Sequence, residues 1–174
     1  TERASLVVRF QGGNNAGHTV IVEGKKTALK LIPSGILRPG SRCLLASGVV
    51  LDLEALFSEI ESLREAGVEV SPQRLGVAGE AKLILPYHKA IDGAREAQLA
   101  DSKIGTTGKG IGPAYEDAVS RYAIRVADLL DRHLLETLVR RNVEEKNLYL
   151  KAVLNSPVQF DADELLESLL AIGL

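Results

Sequence analysis

A compact apolar run, Leu6-Val7-Val8-Arg9-Phe10, leads straight into Gln11-Gly12-Gly13-Asn14-Asn15-Ala16-Gly17-His18-Thr19. Three glycines and two asparagines crowd around one histidine, a composition that suits neither a helix interior nor a central strand. Glycine lets backbone approach a ligand, asparagine tolerates left-handed turns, and histidine exchanges protons near neutral pH. The stretch therefore reads as a loop for binding and proton transfer. Gly12 to Thr19 has the register of a phosphate loop, with His18 in the place of the lysine. That motif must open a helix. Here His18 to Val22 continues as a β-branched run and turns at Glu23-Gly24. The pattern is strand, loop, strand, and on spacing alone a plain turn with an incidental histidine stays open.

Downstream, the chain alternates strand-like and helix-like segments. Lys26 to Ile32 reads as a strand, and Cys43 to Leu51 as a strand-like run broken at Ser47-Gly48. Asp52 is placed to cap a helix running to Ala66, with Leu56, Phe57, Ile60 and Leu63 as its buried stripe and Gly67 as its stop. Arg74 to Ala78 and Ala81 to Leu85 are short strand candidates, and Pro86 suits the first turn of the next helix. The alternation implies an α/β layer architecture. A second glycine segment follows, Gly105-Thr106-Thr107-Gly108-Lys109-Gly110-Ile111-Gly112-Pro113. Its amides, hydroxyls and lysine suit an oxyanion, although the lysine is misplaced for a Walker loop, and composition alone equally fits a flexible connection. A short helix is expected around Ala114 to Ser120. His133 to Leu154 reads as a long helix with exposed Arg140/Glu144 and Arg141/Glu145 pairs, and Asp161 with Glu164 opens a last one. The expected division is 1–130, an α/β portion that binds nucleotide, and 131–174, a helical segment of the same domain.

Composition excludes several classes. A net charge of −2, with no basic stripe of interleaved aromatics, argues against nucleic acid. Cys43 is the single cysteine, so no internal disulfide forms, and its expected role is a small core residue. No apolar run is long enough to span a bilayer. A soluble, cytoplasmic protein is expected. His18, His88 and His133 lack metal-ligand spacing, which argues against a zinc site, and His88 reads as structural. The absence of methionine and the apolar, uncapped end Leu169 to Leu174 fit an incomplete chain.

Four blocks together resemble the adenylosuccinate synthetase family. They are Arg9 to Thr19, Leu31-Ile32-Pro33-Ser34-Gly35-Ile36-Leu37, Leu83-Ile84-Leu85-Pro86-Tyr87-His88, and Ile104 to Asp117 followed by Arg121 and Ile124-Arg125-Val126. The resemblance implies a sheet and flanking helices like those of P-loop GTP-binding proteins, incomplete in this chain. It implies a ligase in AMP synthesis, in which GTP phosphorylates the six-position oxygen of IMP and L-aspartate displaces that phosphate. By resemblance His18 is the general acid. Asn15, Ala16, Gly17, His18, Thr106, Thr107 and Arg121 bind IMP, with Arg121 reaching across a homodimer. Gly17, His18 and Thr19 border GTP, and the Gly17 carbonyl ligates Mg²⁺. The family's opening phosphate loop, with its general-base aspartate, and its C-terminal half have no counterpart in these residues. Lys109 replaces a usual arginine, Ala118 a common lysine, Tyr122 a common arginine and Lys30 a usual histidine. The alternative is an inactive remnant of that family that binds IMP or only dimerises.

Overall fold

The computed structural model describes residues 4–15, 17–22, 24–99, 105 and 107–172. Ala16 and Thr106, both expected at the site, lie outside the described residues. The chain forms two compact units, Thr1–Ala81 and Lys82–Leu174. No helix among the described residues is long and apolar enough to cross a membrane.

In the first unit, β1 (Leu6–Gly12) pairs in parallel with β4 (Arg42–Leu51), and β4 pairs in parallel with β5 (Leu75–Val77). An antiparallel hairpin, β2 (His18–Val22) with β3 (Lys25–Leu29), stands apart from this sheet, joined in register from His18 opposite Leu29. The hairpin confirms the strand-loop-strand reading, although β3 stops at Leu29 rather than Ile32. β4 is also unbroken at Ser47-Gly48. The register shift lies between Arg9 and Gln11 of its neighbour, and a Cβ on Gly48 would come within 2.3 Å of the Phe10 carbonyl oxygen. The glycine is thus a close-approach residue and not a strand breaker.

Asp52 caps α1 (Leu53–Glu65), accepting the Ala55 amide at 3.2 Å, as its position predicted. The expected apolar stripe needs correction. Leu56 and Leu63 are buried, but Phe57 is 42% exposed while Glu59 is only 9% exposed. Leu29, Leu31, Ile32, Ile36, Leu45 and Val49 to Leu51 fill the core of this unit. Cys43 is buried among them. Burial pushes its thiol pKa up against the pull of Arg74, so it behaves as the small core residue expected.

The second unit is helical around a short strand. β6 (Lys82–Leu83) receives an antiparallel bridge from Arg125. α2 (Pro86–Gln98) starts at its proline, as predicted. α3 (Ile111–Ser120), α4 (Arg132–Ala152) and α5 (Ala162–Leu170) follow, and Asp161 caps α5 by accepting the Asp163 and Glu164 amides. Ile91, Leu150 and Leu154 form an apolar cluster between α2 and α4, flanked by Tyr149 and Phe160. The expected forward charge pairs on α4 are replaced: Arg140 turns back to Glu136 at 2.9 Å and out to Asp163 of α5 at 2.7 Å. Arg141 stacks on the Tyr122 ring, 4.6 Å from its centroid.

Candidate functional site

The first glycine loop is held by a cation. Arg9 lies in β1, and its Nε donates to the Gln11 carbonyl at 3.2 Å. The same guanidinium donates to Gly13 O at 2.5 Å, to Leu31 O at 3.2 Å and to Lys30 O. One planar fork thus ties the start of the loop to the segment after β3, a geometry that a lysine ammonium cannot reproduce. Glu59 of α1 grips that segment through its amides. Its Oε1 accepts from Lys30 N at 2.7 Å and Ile32 N at 3.3 Å, and its Oε2 from Leu31 N at 2.8 Å. Buried Asn14 donates to Asp52 Oδ2 at 3.3 Å, fastening the middle of the loop to the cap of α1.

On this base the expected residues face outward. Asn15, Gly17, His18 and Thr19 are all exposed. Gly17 and His18 border a groove of about 460 Å³ that also touches Arg9, Gln11, Leu31 and Pro33. An exposed imidazole beside a clamped loop can pass a proton to whatever the groove holds. Among the described residues no group of three or more His, Cys, Asp or Glu side chains is arranged to hold a metal. Gly17 could offer a carbonyl oxygen, a hard donor that suits Mg²⁺. Mg²⁺ commonly takes its other ligands from phosphate and water.

The second glycine segment is held by anions and closes onto α2. Thr107 and Lys109 are exposed and Gly110 is buried. Gly110 has φ +71°, and a Cβ there would meet the His88 carbonyl carbon at 2.8 Å, so only glycine fits. α3 then runs to Arg121, which ends it at φ +68°. Glycine or asparagine usually takes this left-handed position. The amides of Tyr122 and Ala123 both return to the Asp117 carbonyl, at 2.9 and 3.1 Å, and leave the Arg121 side chain exposed.

Beneath that turn lies a buried polar network. The Leu85 amide donates to His88 Nδ1 at 2.9 Å, which fixes the proton on Nε2. Nε2 then donates to Asp117 Oδ2 at 3.0 Å, and Lys146 Nζ to Asp117 Oδ1 at 2.6 Å. Burial lowers the His88 pKa by more than Asp117 raises it, so the ring stays neutral. Burial pushes Asp117 upward, but the bonds from His88 and Lys146 outweigh it and hold the carboxyl below its ordinary range. Asn142 Nδ2 donates to the Tyr122 carbonyl at 2.7 Å and to the Tyr87 hydroxyl at 3.2 Å. Structurally, His88 is therefore a satisfied core residue, as read from the sequence. A cavity of about 260 Å³ opens over this network, but Arg95 spans its rim in a fork to Glu116, at 2.6 and 2.9 Å.

Sequence reasoning found the exposed residues and missed those that hold them. Arg9 is a charge inside an apolar strand, and Glu59 lies three residues after Leu56 and four before Leu63 on the apolar stripe. Both were visible signals of inward-facing charge. Lys146 and Asp117 carried no such mark.

Comparison with known proteins supplies the lineage. The family model for adenylosuccinate synthetase matches residues 1–173. An adenylosuccinate synthetase from Bdellovibrio bacteriovorus is 52% identical over 172 residues, which cover 99% of this chain and 40% of that protein. One from Geobacter metallireducens is 53% identical over 162 residues, 92% of this chain and 38% of its own length. A solved adenylosuccinate synthetase from Plasmodium falciparum superimposes with a TM-score of 0.81 at 30% identity, over 97% of this chain and 38% of that one. The chain thus spans about two fifths of these relatives, 38% to 40%. The fold class read from the sequence, α/β with a P-loop-GTPase-like sheet and flanking helices, agrees with that likeness. With its matched blocks, parallel sheet and two braced glycine loops, this chain belongs to the adenylosuccinate synthetase family.

Proposed function

We propose that these residues serve a GTP-dependent ligase that joins L-aspartate to IMP in AMP synthesis. The observation that carries the reading is the exposed His18, at a groove whose loop is tied by Arg9 to the segment that Glu59 holds. In the reaction, the six-position oxygen of IMP attacks the γ-phosphorus of GTP and GDP leaves. The aspartate amine then displaces that phosphate to give adenylosuccinate. An amide-like oxygen leaves poorly, so the phosphorylation is what makes the second step possible.

His18 is suited to hold a proton at the purine oxygen while charge develops there. Asn15, Ala16 and Gly17 would contact IMP beside it, and Gly17, His18 and Thr19 would border the GTP phosphates. Mg²⁺, when bound, would neutralise charge on the transferred phosphoryl group, with Gly17 offering one ligand. Thr106 and Thr107 would hold the IMP phosphate, and Arg121 would reach the partner subunit's IMP in a homodimer. The strained backbone at Arg121 supports a functional reason for arginine there.

The test is a chimera in which residues 1–174 replace the matching segment of the Bdellovibrio bacteriovorus enzyme. It is assayed for adenylosuccinate with IMP, GTP, Mg²⁺ and aspartate. Turnover that falls at least about 100-fold in His18→Ala supports the reading. Full turnover without His18, or none from a folded chimera, overturns it.

A further inference from the structure

His88, Asp92 and Glu96 follow one another at intervals of four along α2, and so share one face. His88 is spent on Asp117. The two carboxylates turn to the glycine segment. Asp92 Oδ2 accepts the Gly110 amide at 2.9 Å, and Glu96 Oε1 accepts the Gly105 amide at 2.8 Å. Both ends of the segment are therefore tied to a single helix face. Gly105, Gly108 and Gly110 all hold positive φ, at +76°, +63° and +71°. Such glycines lose much conformational freedom when fixed. Charge-assisted bonds at each end order the curve before any ligand arrives.

We propose that Asp92 and Glu96 are positioning residues that hold Gly105 and Gly110 in place so that Thr107 meets the phosphate of the nucleotide substrate, a proposal that rests on the function given above. The arrangement has an unusual sign. Two carboxylates behind an anion-binding loop repel the anion through space, so their charge alone weakens binding. Their hydrogen bonds strengthen it by ordering the loop. Neutral variants that keep the acceptor separate the two effects. Asp92→Asn and Glu96→Gln can still accept the amides without the charge, whereas Asp92→Ala and Glu96→Ala lose both.

Two measurements decide it. In this chain, hydrogen exchange at the Gly105 and Gly110 amides reports the tether directly. Exchange is expected to quicken about tenfold at Gly110 in Asp92→Ala and at Gly105 in Glu96→Ala, and to stay near the parent rate in the Asn and Gln variants. In the chimera, the Ala variants are expected to raise the KM for IMP about tenfold, with kcat and the KM for GTP within about twofold of the parent. The Asn and Gln variants are expected to bind IMP as well as the parent or better. A purely structural role would lower the melting temperature without singling out IMP. Unchanged exchange in the Ala variants overturns the tether. Quickened exchange with an unchanged or lowered KM for IMP overturns its role in binding. Should a folded parent chimera make no product, the functional reading fails by itself, and titration of this chain with inorganic phosphate decides the loop. Phosphate-dependent shifts of the Thr107 amide that vanish in the Ala variants support the proposal, and shifts that persist, or are missing from the parent, overturn it.

Discussion

The two glycine loops of this chain are alike in composition and opposite in support. The loop after β1 is held through its carbonyl oxygens, by the Arg9 guanidinium. The segment before α3 is held through its amides, by Asp92 and Glu96. A cation that consumes acceptors does not compete for the backbone donors an oxyanion needs. Carboxylates that consume donors would leave an anion to the side chains, and Thr107 and Lys109 are exposed there. Similar glycine content thus gives one loop suited to backbone contacts around a histidine, and another suited to hydroxyl and ammonium contacts.

The comparison breaks most easily at the base of the second loop. Asp117→Ala takes from the buried Lys146 ammonium its one buried carboxylate, leaving it only the half-exposed Glu145 at 3.2 Å, and leaves the His88 Nε2–H without its acceptor. Losing one partner of a buried pair costs about 3–5 kcal/mol, read as a fall in denaturant midpoint. The His88→Gln variant is expected to suffer less, because the lysine keeps its partner. Next in size is His18→Ala, whose loss of at least about 100-fold in chimera turnover corresponds to about 2.7 kcal/mol of transition-state stabilisation. Its melting temperature should not move, since the exposed ring packs on little. A fall in melting temperature matching the lost turnover would make His18 a structural residue and erase the contrast between loops.

Much of this could be read in the chain. Asp52, Pro86 and Asp161 stand where they were expected, because caps and proline starts depend only on neighbours in sequence. The outward face of the first loop was legible for the same reason. Phe57 and Glu59 exchanged their expected places because the amides of Lys30 to Ile32 required an acceptor. That demand comes from a segment more than twenty residues away, and no helical period records it. The stripe of His88, Asp92 and Glu96 was hidden likewise: charged residues four apart read as a solvated face until a loop is laid against them.

Acid should test the second loop more than the first. His88 binds protons less readily folded than unfolded, so the unfolded chain takes up protons first as pH falls below the ordinary histidine range. Asp117, held low by His88 and Lys146, adds stability above the ordinary carboxylate range and loses it as pH drops through its folded value. Both push the same way. Amides around Asp117 are expected to lose exchange protection below neutral pH before those of β1 and β4. Simultaneous loss in both regions would remove the distinction.

Arg121→Gly sharpens the comparison with a gain. Glycine relieves the left-handed strain of an L-residue, and after its own entropic cost the chain should gain about 0.5–1 kcal/mol. IMP affinity in the chimera should fall at the same time, separating what the turn needs from what the side chain does.

The smallest effect is expected where the ion pairs are most visible. Arg140 binds both Glu136 and Asp163 at short distances, yet its side chain is 51% exposed. Water screens such pairs, and ordering a long side chain offsets much of the attraction. Arg140→Ala should therefore leave the denaturant midpoint almost where it was. Asp117, with comparable distances but almost no exposure, should cost several times more. If the two variants fell equally, bond length rather than burial would govern these helices, and burial would not account for the cost expected at Asp117.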